Sequence, residues 1–231
     1  MMSRSPTWKI MVNKYCIIWL FYVMILQSCD HNFASEHKLS PEQLHNAAIY
    51  NTQLGLAYLK YGDRVRAKRK LLAALRFNLP ETQTAMGYFM ETTGDLKTAD
   101  FFYKKAIILS NHSAASLNNY GTFLCRTGHY KQANRYFMQS LSDIYYVHNA
   151  SVYENAGLCA VAAKQYKQAQ YYFDKALRSD PNYQQSLIEI IKIDLKLQNW
   201  QHAVYMLNKY RNKINKNLVL QQLERDVNKK H

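Results

Sequence analysis

Cysteine and histidine are the side chains here with the most chemistry to offer, and their placement decides early which reactions lack support. Four cysteines stand at positions 16, 29, 125 and 159, and eight histidines are scattered over the 231 residues. Cys125 and His129 lie four residues apart, a spacing that suits a nucleophile with its base, or two ligands of a metal. Gly128 falls between them at an expected helix end, and no third ligand stands nearby. The chain carries no GxSxG, HExxH, Walker or CxxC signature, so hydrolase, metalloprotease, nucleotide and thiol-exchange chemistries find no motif. No catalytic residue, metal or cofactor is expected.

Cys29 has a different setting. Arg4, Lys9 and Lys14 precede an uncharged run from Tyr15 to Leu26, and the polar Gln27-Ser28-Cys29-Asp30 follows. A positive region, an apolar region and a small residue in this order read as an export signal. The apolar run of twelve residues would rise about 18 Å as a helix, short of the roughly 30 Å of hydrocarbon that a spanning segment crosses. Leu26-Gln27-Ser28-Cys29 resembles the lipobox of bacterial lipoproteins. That resemblance implies that residues 1–28 are a cleaved lipoprotein signal peptide and that Cys29 is the lipid attachment site, with a conventional secretory signal as the alternative. Acyl chains stabilise attachment by about 0.8 kcal/mol per buried methylene, so a multiply acylated Cys29 would hold a soluble domain on a bilayer. Cys16 leaves with the signal. Cys125 and Cys159 remain, in a compartment where thiols oxidise.

The elements around these residues follow from composition and period. A chain with 48% hydrophobic and 20% charged residues folds, and its seven glycines and four prolines are too few for the turns of a sandwich or barrel. Self-comparison then finds a repeat. Gly55 is followed by Ala67 and Ala74, Gly87 by Ala99 and Ala106, Gly121 by Ala133 and Ser140, and Gly157 by Ala169 and Ala176, each at offsets of twelve and nineteen. Sixteen residues after each glycine stand Leu71, Tyr103, Phe137 and Phe173; seven after it stand Gly62, Gly94, Gly128 and, in the fourth copy, Lys164. A degenerate fifth copy has Ile191, Ala203 and Leu207. Each copy reads as two antiparallel helices. Small residues let the helices of a pair approach closely, the large residue fills the space between neighbouring pairs, and the glycine seven on ends the first helix as a left-handed cap.

This pattern resembles the tetratricopeptide repeat. The resemblance implies an all-α fold, a right-handed superhelical solenoid of about five to six antiparallel helix pairs with a concave surface built from first helices. Residues 29–43 then form a lipidated tether, with Ser40-Pro41 opening a helix. Residues 44–211 form the solenoid, and residues 212–231, with Leu218, Leu220 and Leu223 among lysines, a C-terminal capping helix and basic tail. Cys125 lies four residues after Gly121 and Cys159 two after Gly157. At 100° per residue their directions differ by about 200°, the relation required of equivalent helices meeting through opposite faces, and a disulfide between them is expected. Such a bond would contribute on the order of 3 to 4 kcal/mol in the chain-entropy model.

One stretch is more specific. Asn118-Asn119-Tyr120-Gly121-Thr122-Phe123-Leu124-Cys125, with Gly128 and Tyr130 after it, closely resembles a segment of the type IV pilus biogenesis lipoproteins, the secretin pilotins of the PilF and PilW type. Asn51-Thr52-Gln53-Leu54-Gly55, Gly87-Tyr88-Phe89 and Ala156-Gly157-Leu158-Cys159 resemble the same family in the same order. The resemblance implies an outer-membrane lipoprotein, facing the periplasm, that binds the secretin subunit and promotes its localisation and multimerisation. Asp30 departs from this, since in enteric bacteria that residue after the lipidated cysteine retains a lipoprotein in the inner membrane. The balance of 30 basic to 16 acidic residues is a second departure, and admits an acidic partner or lipid headgroups.

In such a solenoid the groove is lined by residues three before and one, four and five after each first-helix glycine. Leu56, Leu59 and Tyr88 are thus the expected anchors for an apolar partner segment, Asn118 and Asn119 its backbone hydrogen-bonding partners, and Thr122 and Leu158 further lining. The expected partners are the pilus secretin subunit and, through the lipid, a membrane. Another tetratricopeptide lipoprotein of envelope assembly, for example one assisting β-barrel insertion, is the alternative. A basic nucleic-acid-binding repeat protein would use the charge, but the export signal argues against it, and no small-molecule substrate is expected.

Overall fold

A computed structural model describes residues 40–215 and 217–230. The signal segment, Cys29 and the tether up to residue 39 lie outside the described residues. Among the described residues the structure is helical without strands, and no helix is long and apolar enough to cross a membrane. Five antiparallel pairs follow one another: α1 (Pro41–Lys60) with α2 (Arg64–Leu75), α3 (Pro80–Thr92) with α4 (Leu96–Leu109), α5 (Ala114–Arg126) with α6 (Tyr130–Leu141), α7 (Asn149–Ala162) with α8 (Tyr166–Ser179), and α9 (Gln184–Leu197) with α10 (Trp200–Lys209). The short α11 (Arg211–Ile214) leads to α12 (Leu218–Asn228). Residues from Leu44 onward form one compact unit.

The turn inside each pair is the same turn five times. The amide of Gly62 donates to the Leu59 carbonyl and that of Asp63 to Tyr58, at 3.0 and 2.9 Å, the paired hydrogen bonds of a left-handed helix cap. Gly94, Gly128, Lys164 and Gln198 repeat it, all with φ between 57° and 89°. In the last two a side chain occupies a conformation that glycine adopts freely and other residues at a cost of about 1–2 kcal/mol.

Within each pair the large residue sits on the glycine. A methyl group on Gly55, Gly121 or Gly157 would come within 2.7, 2.8 and 2.5 Å of Leu71, Phe137 and Phe173, and on Gly87 within 3.2 Å of Tyr103. This corrects the expectation that the large residue mainly fills the space between pairs: its first contact is inside its own pair, where the absent Cβ leaves room for it. Leu71, Phe137 and Phe173 are fully buried there, and Tyr103 nearly so. Ser140 replaces the third small residue and spends its hydroxyl on the Ala114 carbonyl, 2.8 Å away, so the buried donor is satisfied.

Pairs stack through first helices, α3 against α5, α5 against α7 and α7 against α9, while each second helix also packs on the next first helix. Cys125 on α5 and Cys159 on α7 are joined as a disulfide across this seam, with their Cα atoms 5.6 Å apart. At the far end α12 packs on α9 and α10. Its buried seam is Leu220, Leu223 and Val227, and Leu218, expected in that seam, is exposed. Asp194 of α9 is fully buried. It accepts a hydrogen bond from Gln170 Nε2 at 2.6 Å and faces His202 Nδ1 at 2.7 Å. Burial pushes its carboxyl above the usual range, against the opposing pull of those two partners.

Two predictions follow from this packing. Gly157→Ala should cost about 1–3 kcal/mol by overpacking against Phe173 and more than Gly87→Ala, whereas Lys164→Gly should gain about 1 kcal/mol by relieving its left-handed backbone; chemical denaturation of the three variants ranks them. Thiol titration of the denatured, unreduced exported protein should find Cys125 and Cys159 unreactive. Two free thiols there would refute the bond in the native compartment.

Candidate functional site

The first helices α1, α3 and α5 enclose an open groove of about 410 Å³. Thr52 and Leu56 line it from α1, Thr84, Ala85 and Tyr88 from α3, and Asn119, Thr122 and Arg126 from α5. Helical spacing accounts for the selection. Within α1 and α3 the residue just after the close-packed glycine faces the inner side of the solenoid, and the residue three before it lies one turn back on the same side. Tyr88 is 42% exposed, although Met86 and Phe89 on the same helix are buried.

Polar groups at one end of the groove form a closed set. Glu91 of α3 pairs with Arg126 of α5, whose Nη2 donates to Oε2 at 2.8 Å and whose Nε donates to the other carboxylate oxygen. The Tyr103 hydroxyl donates to the same Oε2 at 3.0 Å. The Arg126 guanidinium lies 5.8 Å from the centre of the Tyr88 ring, within cation–π range. Glu91 raises the proton affinity of Arg126, chiefly through their hydrogen bond. Burial, and then the neighbouring Glu91 charge, push the Tyr103 phenol above its usual range, so it stays a hydrogen-bond donor at physiological pH. The result is an end wall that is polar but charge-balanced. It braces the second pair against the third and holds Tyr88 at the rim.

The structure gathers Leu56, Tyr88, Asn119 and Thr122 in this groove and leaves three expected residues out of it. Leu59 is half-buried and packs with the core of Ala67, Leu71, Ala85, Met86 and Phe89, because the residue four after Gly55 turns toward the next helix. Asn118 is buried, and its Oδ1 accepts from Asn155 Nδ2 at 3.1 Å, so it joins α5 to α7 and is not available to a bound backbone in the expected way. Leu158 on α7 is 39% exposed but lies beyond the groove walls. Cys125 is engaged by Cys159, and His129 meets the Thr127 hydroxyl through Nδ1 at 3.1 Å. No group of three metal-ligating side chains occurs among the described residues.

Tyr103, expected only to pack, is also joined to Glu91 and Arg126. The signal was available: a hydroxyl appears where the other copies have leucine or phenylalanine, and a buried phenol needs a partner.

Comparison with known proteins agrees with this architecture. The tetratricopeptide repeat family matches residues 150–183. The type IV pilus assembly protein PilF of Pseudomonas aeruginosa is 34% identical over 153 residues, 65% of this chain and 61% of PilF. An uncharacterised protein of Haemophilus influenzae is 31% identical over 111 residues, 47% of this chain and 62% of that protein. The chain thus spans about three fifths of the length of the curated relatives it matches. Among solved structures, P. aeruginosa PilF superposes with a TM-score of 0.67 at 28% identity, covering 80% of this chain and 85% of that one. PilW, described as a widely conserved type IV pilus biogenesis factor, superposes with a TM-score of 0.66 at 22% identity, covering 79% and 85%. In sequence and in fold, the chain is a tetratricopeptide-repeat homologue of the type IV pilus assembly protein PilF.

Proposed function

We propose that this protein is a lipid-anchored assembly factor of type IV pilus biogenesis, held through Cys29 on the periplasmic face of the outer membrane, whose groove binds a segment of the secretin subunit and promotes its multimerisation. The observation that carries the binding part is the exposed Tyr88 at the rim of an inner groove whose one lining cation, Arg126, is already paired with Glu91, and which carries a further carboxylate, Glu81. A site with no cation to spare beside an exposed aromatic suits an apolar stretch of polypeptide better than an acidic tail. Tyr88 is the anchor, and Asn119 supplies both a donor and an acceptor to a bound backbone. The pilus part of the reading rests on the similarity to PilF, and the membrane part on the lipobox-like order ending in Cys29.

The anchor is tested by metabolic labelling with a fatty-acid analogue: the wild-type protein should take up label, and Cys29→Ser should take up none. Label retained in the variant would sink the assignment. For the groove, Tyr88→Ala combined with Asn119→Lys changes exposed side chains and should leave melting nearly unaltered while reducing secretin multimers and surface pili at least tenfold. Leu158→Lys, exposed but outside the groove, should leave both near wild-type. Normal multimers in the double variant at wild-type protein levels would rule this groove out.

A further inference from the structure

Part of the cationic surplus of this chain is displayed on the side that the groove does not use. At 100° per residue, positions two before and two, five and nine after the first small residue of each second helix point directly away from the core. On α2 these are Val65, Arg69, Leu72 and Arg76, the last immediately after the helix, with Lys68 exposed alongside. On α4 they are Lys97, Phe101, Lys104 and Ile108. Val65 is 82% exposed, Phe101 59% and Ile108 71%, so large apolar side chains stand among cations with nothing of this unit covering them. Helix α2 contains no carboxylate, and among the described residues Arg66 is its cation in an ion pair, with Asp63. Lys104 is held by Asp100 at 2.7 Å.

We propose that the outer face of the first two helix pairs lies against a bilayer surface rich in anionic phospholipid. Lys68, Arg69, Arg76 and Lys97 contact headgroup phosphates, while Val65, Leu72, Phe101 and Ile108 enter the boundary between headgroups and acyl chains. Interleaved cations and bulky apolar groups on one exposed helical face are what an interfacial membrane contact requires. A nucleic acid would satisfy the cations but leave four exposed apolar side chains without a partner. The inference rests on the lipid-anchor reading for its physiological setting: the residues from Cys29 to Ser40 reach at most about 40 Å when extended, which would keep the outer face at high effective concentration beside headgroups. In such an arrangement the groove, on the inner side of the same pairs, faces away from the bilayer and stays free for a partner.

The test uses the mature polypeptide, without residues 1–28 and carrying Cys29→Ser, so that neither the apolar signal segment nor an acyl chain contributes, and measures co-flotation with vesicles of phosphatidylcholine alone or with about one third phosphatidylglycerol. The anionic vesicles should be bound at least tenfold more tightly. Neutralising Lys68, Arg69, Arg76 and Lys97 to glutamine should reduce that preference below twofold, and Phe101→Ser with Ile108→Ser should remove the part of the binding that survives raised salt. All six side chains are exposed, so circular dichroism and melting should not change. Equal binding to neutral and anionic vesicles, or a preference unchanged in the charge variant, would overturn the proposal. So would tighter binding to a DNA duplex at equal phosphate concentration, lost in the same variant. Because every arm lacks the acylated cysteine, a failure of lipidation in the labelling experiment leaves these outcomes readable.

Discussion

The whole architecture hangs on a missing methyl group. In four successive helix pairs a glycine on the first helix leaves just enough room for a leucine, phenylalanine or tyrosine from the second to lie against bare backbone, and the distances leave no space for a Cβ at three of them. The contact fixes how closely the two helices approach and which faces turn outward, because a ring seated on one glycine cannot slide to the next turn without losing its seat. Everything that follows in the solenoid, including which residues line its inner groove and which decorate its outer side, inherits its geometry from that repeated fit. The fifth pair, with Ile191 at the glycine position and Leu207 at the large one, reaches a similar core with two medium aliphatic residues, both buried.

Much of this was legible from the chain because the constraint is periodic. Offsets of seven, twelve, sixteen and nineteen carry the caps, the small residues and the filler, and no long-range pairing has to be guessed when each unit touches only its neighbours. Lys164 stands at the cap offset in the fourth copy, and Gln198, seven after Ile191, takes the same left-handed cap in the fifth. The site was less legible because it depends on what crosses between repeats. Leu59 and Asn118 occupy groove-like offsets, yet one turns into the core and the other is spent on Asn155. Offset specifies a direction, and a neighbour one repeat away decides whether that direction meets solvent. The Tyr103–Glu91–Arg126 set is of the same kind, since its three members come from three helices and no local pattern links them.

The inner and outer sides also divide the chemical labour. On the inner side the cation is consumed locally, Arg126 by Glu91, so that what remains is an aromatic rim, short polar side chains, apolar walls and the carboxylate of Glu81. On the outer side of the first two pairs cations alternate with exposed apolar side chains, and Arg66 and Lys104 are paired with Asp63 and Asp100. A helix pair can carry two such different faces because its core stripe is narrow: Ala67, Leu71 and Ala74 suffice to bury α2, which leaves most of its circumference free to be composed for other purposes.

The disulfide between α5 and α7 has a consequence for how the molecule comes apart. In a linear array each unit melts largely against its nearest neighbours, so openings begin at the ends and travel inward. A covalent staple across the third and fourth units raises the cost of carrying either travelling boundary through the middle of the array. The amino-terminal end, whose α2 and α3 share a small separate core, would then exchange its amide protons ahead of a slowly exchanging centre that shares one continuous core with the carboxy-terminal pair. Reduction would soften that boundary into a graded profile.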